Sequence, residues 1–151
     1  MNSVFVNTVD MEIPVWSRSL CNYAQKVLNE INQNNWELSI LLCGDKTITE
    51  LNAKYRNKHE PTDVLSFALG ETLDEQKNIF LPGDIVISLD TLRENAKYFQ
   101  ISEDEELRRL LIHGILHLDG MDHKTLEKSE PMLVLQENIL KKLDNESIIE
   151  I

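Results

Sequence analysis

The chain has few cysteines, few basic residues and no long apolar run. Its only two cysteines are Cys21 and Cys43 in 151 residues, too few for the disulfide framework of a small secreted domain. Both lie in apolar segments, so we predict buried free thiols in a reducing cytoplasm. No run approaches the ~18 apolar residues that a membrane span needs. The first residues lack a basic stretch followed by an apolar one, so we expect no secretory signal.

The charge balance is strongly acidic. Lys and Arg number 15 and Asp and Glu number 26, so the formal net charge is −11. A broadly basic surface that coats nucleic acid is therefore excluded, because that mode neutralises many phosphates. An anionic membrane surface would also repel the chain. The composition, 42% hydrophobic and 27% charged, is that of a globular protein, and the length predicts a single domain, residues 1–151.

Strand and helix patterns alternate along the chain and predict an α/β (α+β) domain. We expect one mixed sheet of about four strands packed with helices. The predicted strands are residues 3–9, 36–43, 64–67 and 84–89, with a polar connection at 70–83. The predicted helices are residues 14–31, 45–55, 90–98, 102–117 and 126–143.

Helix caps are predicted at three places. Asp45 or Thr47 could cap the second helix, and Asp90 the third. Ser102 has the clearest signal, because Glu105 follows three residues later as in a capping box.

Three of the four histidines lie within the segment HGILHLDGMDH, residues 113–123. His113 and His117 are four residues apart, so both lie on one face of a helix and can share a metal ion. On a continuous helix His123 would be ~240° around and ~9 Å along from His117, on the wrong face. The helix must therefore end first, and Gly120 allows the left-handed turn that ends it. Three imidazoles leave a fourth position open, which is typical of catalytic zinc.

The spacing His-x-x-x-His-x-x-Gly-x-x-His is that of the metzincin proteases, with one departure. Those enzymes have a Glu general base where this chain has Gly114, so peptide hydrolysis by that mechanism is not expected. Gly114 falls in an apolar stripe, which suggests close packing of another element. A closed structural zinc stays open as an alternative, with Cys21, Cys43 or Asp122 as a fourth ligand.

Two further sets of polar residues have two interpretations each. Asp119 and Asp122 could accept a hydrogen bond from an imidazole or be solvated turn residues. Lys54, Arg56, Lys58 and His59 form the densest basic patch. Arg56 suits a phosphate or a developing oxyanion, although helix-end cations also stabilise the helix dipole.

The segment HGILHLDGMDH resembles the signature of the YbeY family of bacterial metal-dependent endoribonucleases. The resemblance extends to LNAKYRNKHEPTDVLSF, residues 51–67, and to PGDIVIS, residues 82–88, in the family's order. It implies that His113, His117 and His123 bind one Zn²⁺ ion, that these histidines and Arg56 are the catalytic residues, and that the fold is a compact α/β domain.

The same resemblance implies a biological role. Family members cleave single-stranded RNA in rRNA processing, notably 3′ end maturation of 16S rRNA, and act in late-stage 70S ribosome quality control. We therefore expect a cytoplasmic enzyme with rRNA as substrate, a ribosome or ribosomal protein as partner, and no DNA or membrane partner. The alternatives are a non-catalytic zinc-containing ribosome assembly factor and a metallohydrolase acting on another substrate. The identity of the general base is left open.

Overall fold

A computed structural model describes residues 1–74 and 76–149; positions 75, 150 and 151, which the one-domain prediction includes, lie outside the described residues. In chain order the elements are β1 (Ser3–Thr8), α1 (Ser17–Glu30), β2 (Glu37–Cys43), α2 (Asp45–Arg56), β3 (Val64–Asp74), β4 (Ile79–Ser88), α3 (Leu89–Phe99), α4 (Glu103–Leu118) and α5 (Pro131–Lys142). Across these residues, no helix combines the length and the apolar character needed to span a bilayer.

The four strands form one mixed sheet in the order β1-β2-β4-β3, which confirms the predicted fold class. The pairs β1–β2 and β2–β4 are parallel, and β3 pairs antiparallel with β4. Parallel neighbours need crossover connections, which α1 supplies between β1 and β2. The central strands β2 and β4 carry near-continuous apolar runs because both of their faces are covered.

Each face of the sheet carries its own core. The larger core lies between the sheet and α1, α4 and α5, and α4 is buried along most of its length. The smaller core lies on the opposite face and contains Cys43, Ile48, Leu65 and Val86. Both cysteines are free, with Cys43 buried and Cys21 half-buried. The helix that carries two of the histidines therefore packs against the sheet.

Gly114 lies where α4 packs closely against the sheet, as the apolar stripe predicted. A Cβ at this position would lie 3.0 Å from Cγ2 of Ile85 and 3.1 Å from its Cδ1. Few real Cβ contacts are that short, because packed interiors leave no spare space. The glycine thus allows the helix to lie directly against β4.

The polar connection predicted at residues 70–83 is wrong. The structure has a long hairpin there, with β3 running to Asp74, β4 starting at Ile79, and Glu71 and Thr72 paired with Leu81 and Phe80. Residues 70–73 of this hairpin arm are exposed and residues 79–81 are only half-buried, so no alternating apolar pattern reveals it.

Several helix starts and caps also differ from the prediction. The last helix begins at Pro131 rather than near residue 126, because proline favours the first helical turn. The third helix is capped by Ser88, whose Oγ accepts a hydrogen bond from the Thr91 N–H, while Asp90 accepts from the Asp45 N–H instead. Neither Asp45 nor Thr47 caps α2, whose cap residue is Gly44.

Candidate metal centre

Helix α4 presents two histidines on one face. It begins as predicted, with Ser102 Oγ accepting a hydrogen bond from the Glu105 N–H at 3.0 Å. One turn separates His113 from His117, and their ring centroids are 4.6 Å apart. The spacing of four residues therefore brings both imidazoles to the same place.

The end of α4 brings the third histidine to the other two. Gly120 has φ of +92°, its N–H donates to the His117 carbonyl, and the Met121 N–H donates to the Leu116 carbonyl. This pair of bonds is the Schellman motif that ends a helix and reverses the chain. The His123 ring consequently lies 5.2 Å from that of His113, centroid to centroid.

The three histidines lie within metal-binding distance of one another, which is compatible with a metal site. One ring nitrogen from each falls within 4.8 Å of the other two. The Nε2 atoms of His113 and His117 are 3.1 Å apart, close to the separation of about 3.4 Å that two nitrogens adopt on one tetrahedral zinc ion.

Hydrogen bonds to the other ring nitrogens set the tautomers of all three imidazoles. The Nδ1 atoms of His113, His117 and His123 lie 2.6, 3.1 and 2.9 Å from oxygen atoms of Gln136, Met121 and Thr125. An oxygen of this kind can only accept, so each Nδ1 carries the proton and each Nε2 carries a lone pair. Lone pairs that face each other repel, so the cluster suits a cation between them.

Burial also keeps two of the imidazoles neutral. Loss of solvent lowers the pKa of His113 below its usual value, and the Gln136 hydrogen bond opposes this only partly. Burial lowers the pKa of His117 as well, with the nearby His113 adding to the effect. A neutral imidazole is the form that binds a metal, so both residues are ready ligands at neutral pH.

A cleft of about 520 Å³ opens beside the histidines and is called the metal cleft below. Its lining includes Arg56, Asp63, Ser66, His113 and His117. Arg56 is the last residue of α2, and its Nη2 donates to the Ser66 carbonyl at 3.2 Å. The Ser66 hydroxyl in turn donates to the Gly114 carbonyl on α4. The guanidinium is thus tied, through one strand residue, to the helix that carries the histidines.

Comparisons with known proteins agree with this geometry. The family model described as Endoribonuclease YbeY matches residues 5–144. A protein named Endoribonuclease YbeY from Treponema denticola is 46% identical over 132 residues, covering 86% of this chain and 85% of that protein. One of the same name from Borreliella burgdorferi is 47% identical over 128 residues, covering 80% and 83%.

This chain belongs to the endoribonuclease YbeY family. The solution structure of TM1509 from Thermotoga maritima is also similar, with a TM-score of 0.63 and 28% identity over 97% of this chain and 91% of that one. The resemblance carried by the histidine segment is therefore confirmed, and so is the assignment to an enzyme class, the RNA-cleaving hydrolases.

One residue of the basic patch lines the metal cleft among the described residues. Arg56 lines it, whereas Lys54, Lys58 and His59 are absent from its lining among the described residues. Lys54 Nζ instead lies 5.1 Å from the ring centroid of Tyr55. The patch is split because it spans the end of α2, where successive side chains point in different directions.

The two aspartates of the histidine segment do not hold an imidazole. Asp119 accepts a hydrogen bond from Gln33 Nε2 at 2.6 Å, and Asp122 accepts from the His123 N–H. The Asp122 carboxylate is 3.9 Å from His117 Nδ1 and its side chain is 86% exposed. Neither aspartate therefore accepts a hydrogen bond from an imidazole. Both instead stabilise the turn that follows α4, as the alternative interpretation predicted.

Gln136 is a site residue that the sequence reasoning missed. Its side chain is only 6% exposed. Its Nε2 donates to Glu137 at 3.0 Å, which orients Oε1 toward His113. A signal for it exists in the sequence, because Gln136 is a lone polar residue in the apolar stripe of α5 with Met132, Ile139 and Leu140. Such a buried polar group needs a partner.

Proposed function

We propose that this chain is a zinc-dependent endoribonuclease, specific for single-stranded RNA, with one Zn²⁺ ion held by His113, His117 and His123. The observation that carries the proposal is the set of three imidazole nitrogens, one from each histidine and within 4.8 Å of one another, beside a cleft that Arg56 also lines. Family membership supports RNA as the substrate. No fourth His, Cys, Asp or Glu joins the cluster within the described part of the chain, as suits a site that leaves room for substrate.

The metal ligands and Arg56 would have different roles in the reaction. A zinc ion at this site would lower the pKa of a water molecule and polarise a phosphoryl oxygen. Arg56 would bind the scissile phosphate and neutralise the charge that builds up on it in the transition state. The guanidinium suits this role because it presents several donors in one plane.

Proton transfer must use a group other than residue 114. Gly114 has no side chain and its Cα lies against Ile85, so no carboxylate fits there. The carboxylates that line the metal cleft are Asp63 and Asp122. Asp63 is held by hydrogen bonds from the Val64 N–H and from Asn95. Either carboxylate would take the proton of the attacking oxygen, which belongs to water or to the RNA 2′-hydroxyl. The bond from phosphorus to the leaving oxygen would break as the attack proceeds, and the leaving oxygen would take a proton from solvent. Attack by the 2′-hydroxyl would leave a 2′,3′-cyclic phosphate.

The biological substrate we propose is ribosomal RNA in the cytoplasm. Family resemblance supports 3′ end maturation of small-subunit rRNA and late-stage ribosome quality control as the setting. The net charge of −11 supports weak binding to free RNA, with a shallow salt dependence that reflects few phosphate contacts. Targeting would then depend on the ribosome or a ribosomal protein, with no role for DNA or membranes.

The test combines metal content with RNA cleavage on one purified sample. We expect wild type to contain about one zinc ion per chain and to cut single-stranded but not double-stranded RNA. His117→Ala should lose both metal and activity. Arg56→Ala should keep its metal and lose roughly 10²–10³-fold in kcat/KM, as when one transition-state donor is removed. Arg93→Ala is the matched control, because Arg93 is an exposed α3 residue paired with Glu103.

Three outcomes would overturn the proposal. If His117→Ala and Arg56→Ala cleave as well as wild type, the activity belongs to a contaminant. If a chelator unfolds the protein instead of abolishing activity in a folded chain, the zinc is structural and the assembly-factor alternative holds. A zinc-stimulated cleavage of peptides but not of RNA would favour the other metallohydrolase.

A further inference from the structure

A second groove continues from the metal cleft over the end of α4. It has a volume of about 440 Å³, and we call it the amide groove after Gln33, Asn34 and Asn78 in its lining. Leu118 and Gly120 line both the amide groove and the metal cleft. No atom lies within 4 Å of the point where a Cβ on Gly120 would be. The metal cleft and the amide groove therefore meet at Leu118 and Gly120.

The walls of the amide groove come from three elements that are tied together. Gln33 Nε2 donates to Asp119, which ends the metal-site helix, at 2.6 Å. The Phe80 N–H on the hairpin arm donates to the Asn35 carbonyl at 2.8 Å. Buried Asn2 bonds to the Gln33 carbonyl and the Trp36 N–H. The groove is therefore formed before any ligand arrives.

The chemistry of the lining suits a base and not a phosphate. The amides of Asn34 and Asn78 and the hydroxyl of Thr72 are exposed and make no hydrogen bond within the described residues. Among the residues that the structure describes, no Lys or Arg lines the groove, and Asp119 adds a carboxylate. Phosphates are held by cations and helix N-termini, whereas amides pair with the donors and acceptors of base edges. The half-buried Phe80 adds apolar surface.

We propose that the amide groove is a nucleobase subsite for single-stranded RNA. A base next to the scissile phosphate lies against Phe80, and Asn34 and Asn78 bond its edge. A volume of about 440 Å³ is in the range of small-ligand sites. This inference rests on the proposed function, and it makes the groove the part of the enzyme that selects sequence. It also explains how an acidic protein holds RNA with few phosphate contacts.

The test removes both free amides without adding charge. Asn34→Ala and Asn78→Gly are combined, since Asn78 has φ of +56°, which glycine adopts without strain. Asn22→Ala is the control, because Asn22 is exposed on α1 and lines neither groove nor cleft. Binding of a fluorescent hexanucleotide RNA to metal-free protein is measured by anisotropy. Cleavage-site preference is then read by sequencing the products of a randomised single-stranded RNA pool.

We expect the double variant to bind the hexanucleotide roughly tenfold more weakly, as fits two lost hydrogen bonds, and to lose base preference at one position beside the cut. The control should match wild type in both readouts. If wild type cleaves RNA and the double variant keeps wild-type binding and base preference, the subsite proposal is overturned and the proposed function stands. Equal losses in the Asn22→Ala control would overturn it too. Failure of wild type to cleave any RNA would overturn the proposed function instead.

Discussion

Replacing Gln136 with leucine should weaken the metal site without touching a metal ligand. Gln136 Oε1 accepts the Nδ1 proton of His113 at 2.6 Å, and the residue is 6% exposed. Leucine has a similar size and no acceptor. Glu137 loses the amide donor but keeps both of its bonds to Arg109. The substitution therefore mainly changes the orientation and basicity of the His113 imidazole.

The expected magnitude follows from the lost hydrogen bond. Removing the partner of a metal-binding histidine typically weakens metal affinity 10–100-fold, which is about 1.4–2.8 kcal/mol. In the metal-free protein a buried N–H is left without an acceptor, so the free energy of unfolding should fall by about 1–2 kcal/mol. For a chain of this length that lowers the Tm by roughly 2–8 °C. The variant should therefore still be folded at room temperature.

The assay is competition for zinc between metal-free protein and a chromophoric chelator at pH 7.5. Ile139→Val serves as the control, because Ile139 is buried on the same helix and its truncation costs about 0.5–1.5 kcal/mol. The control should bind zinc as wild type does. A folded Gln136→Leu variant with wild-type zinc affinity would refute the idea that this hydrogen bond prepares His113. An equal loss in the control would show that helix stability, and not the bond, sets the affinity.

Two further predictions concern α4. Gly114→Ala should lower the free energy of unfolding by about 1–2 kcal/mol in urea, since overpacking against Ile85 exceeds the gain in helix propensity; a more stable variant would contradict this packing. Burial lowers the pKa of His113 and His117. Their contribution to the stability of metal-free protein is therefore full above pH ~6.5, the pKa of histidine in the unfolded chain. This contribution is lost as the pH falls below that value. Unfolding curves should therefore show a lower free energy of unfolding at pH 5.5 than at pH 7.5. A double variant, His113→Gln with His117→Gln, should lose less stability between the two pH values, and an equal loss would contradict the prediction.

The sequence was sufficient for the features that depend on local geometry. The four-residue spacing of His113 and His117, the Ser102 cap and the left-handed Gly120 each follow from helix rules that involve neighbours in the chain. Close packing at Gly114 could be predicted because the glycine fell in an apolar stripe. A sheet covered by helices could be predicted, because its central strands are apolar on both faces.

Features that depend on distant contacts could not be predicted in the same way. Gln136 reaches His113 from another helix, and only a lone polar residue in an apolar stripe marks it. In the hairpin arm residues 70–73 are exposed and residues 79–81 are only half-buried, so residues 70–83 carried no strand pattern. The placement of Arg56 by Ser66 depends on how β3 pairs with β4, which no local rule determines.

The central claim is that three imidazoles hold one metal ion on which RNA cleavage depends. The most direct test is a zinc titration of metal-free protein while cleavage of a single-stranded RNA is measured. We predict negligible cleavage without metal, a rise with added zinc, and a plateau at one ion per chain, with no rise in His117→Ala. Full cleavage by protein shown to contain no metal, or a titration that His117→Ala follows like wild type, would contradict the claim.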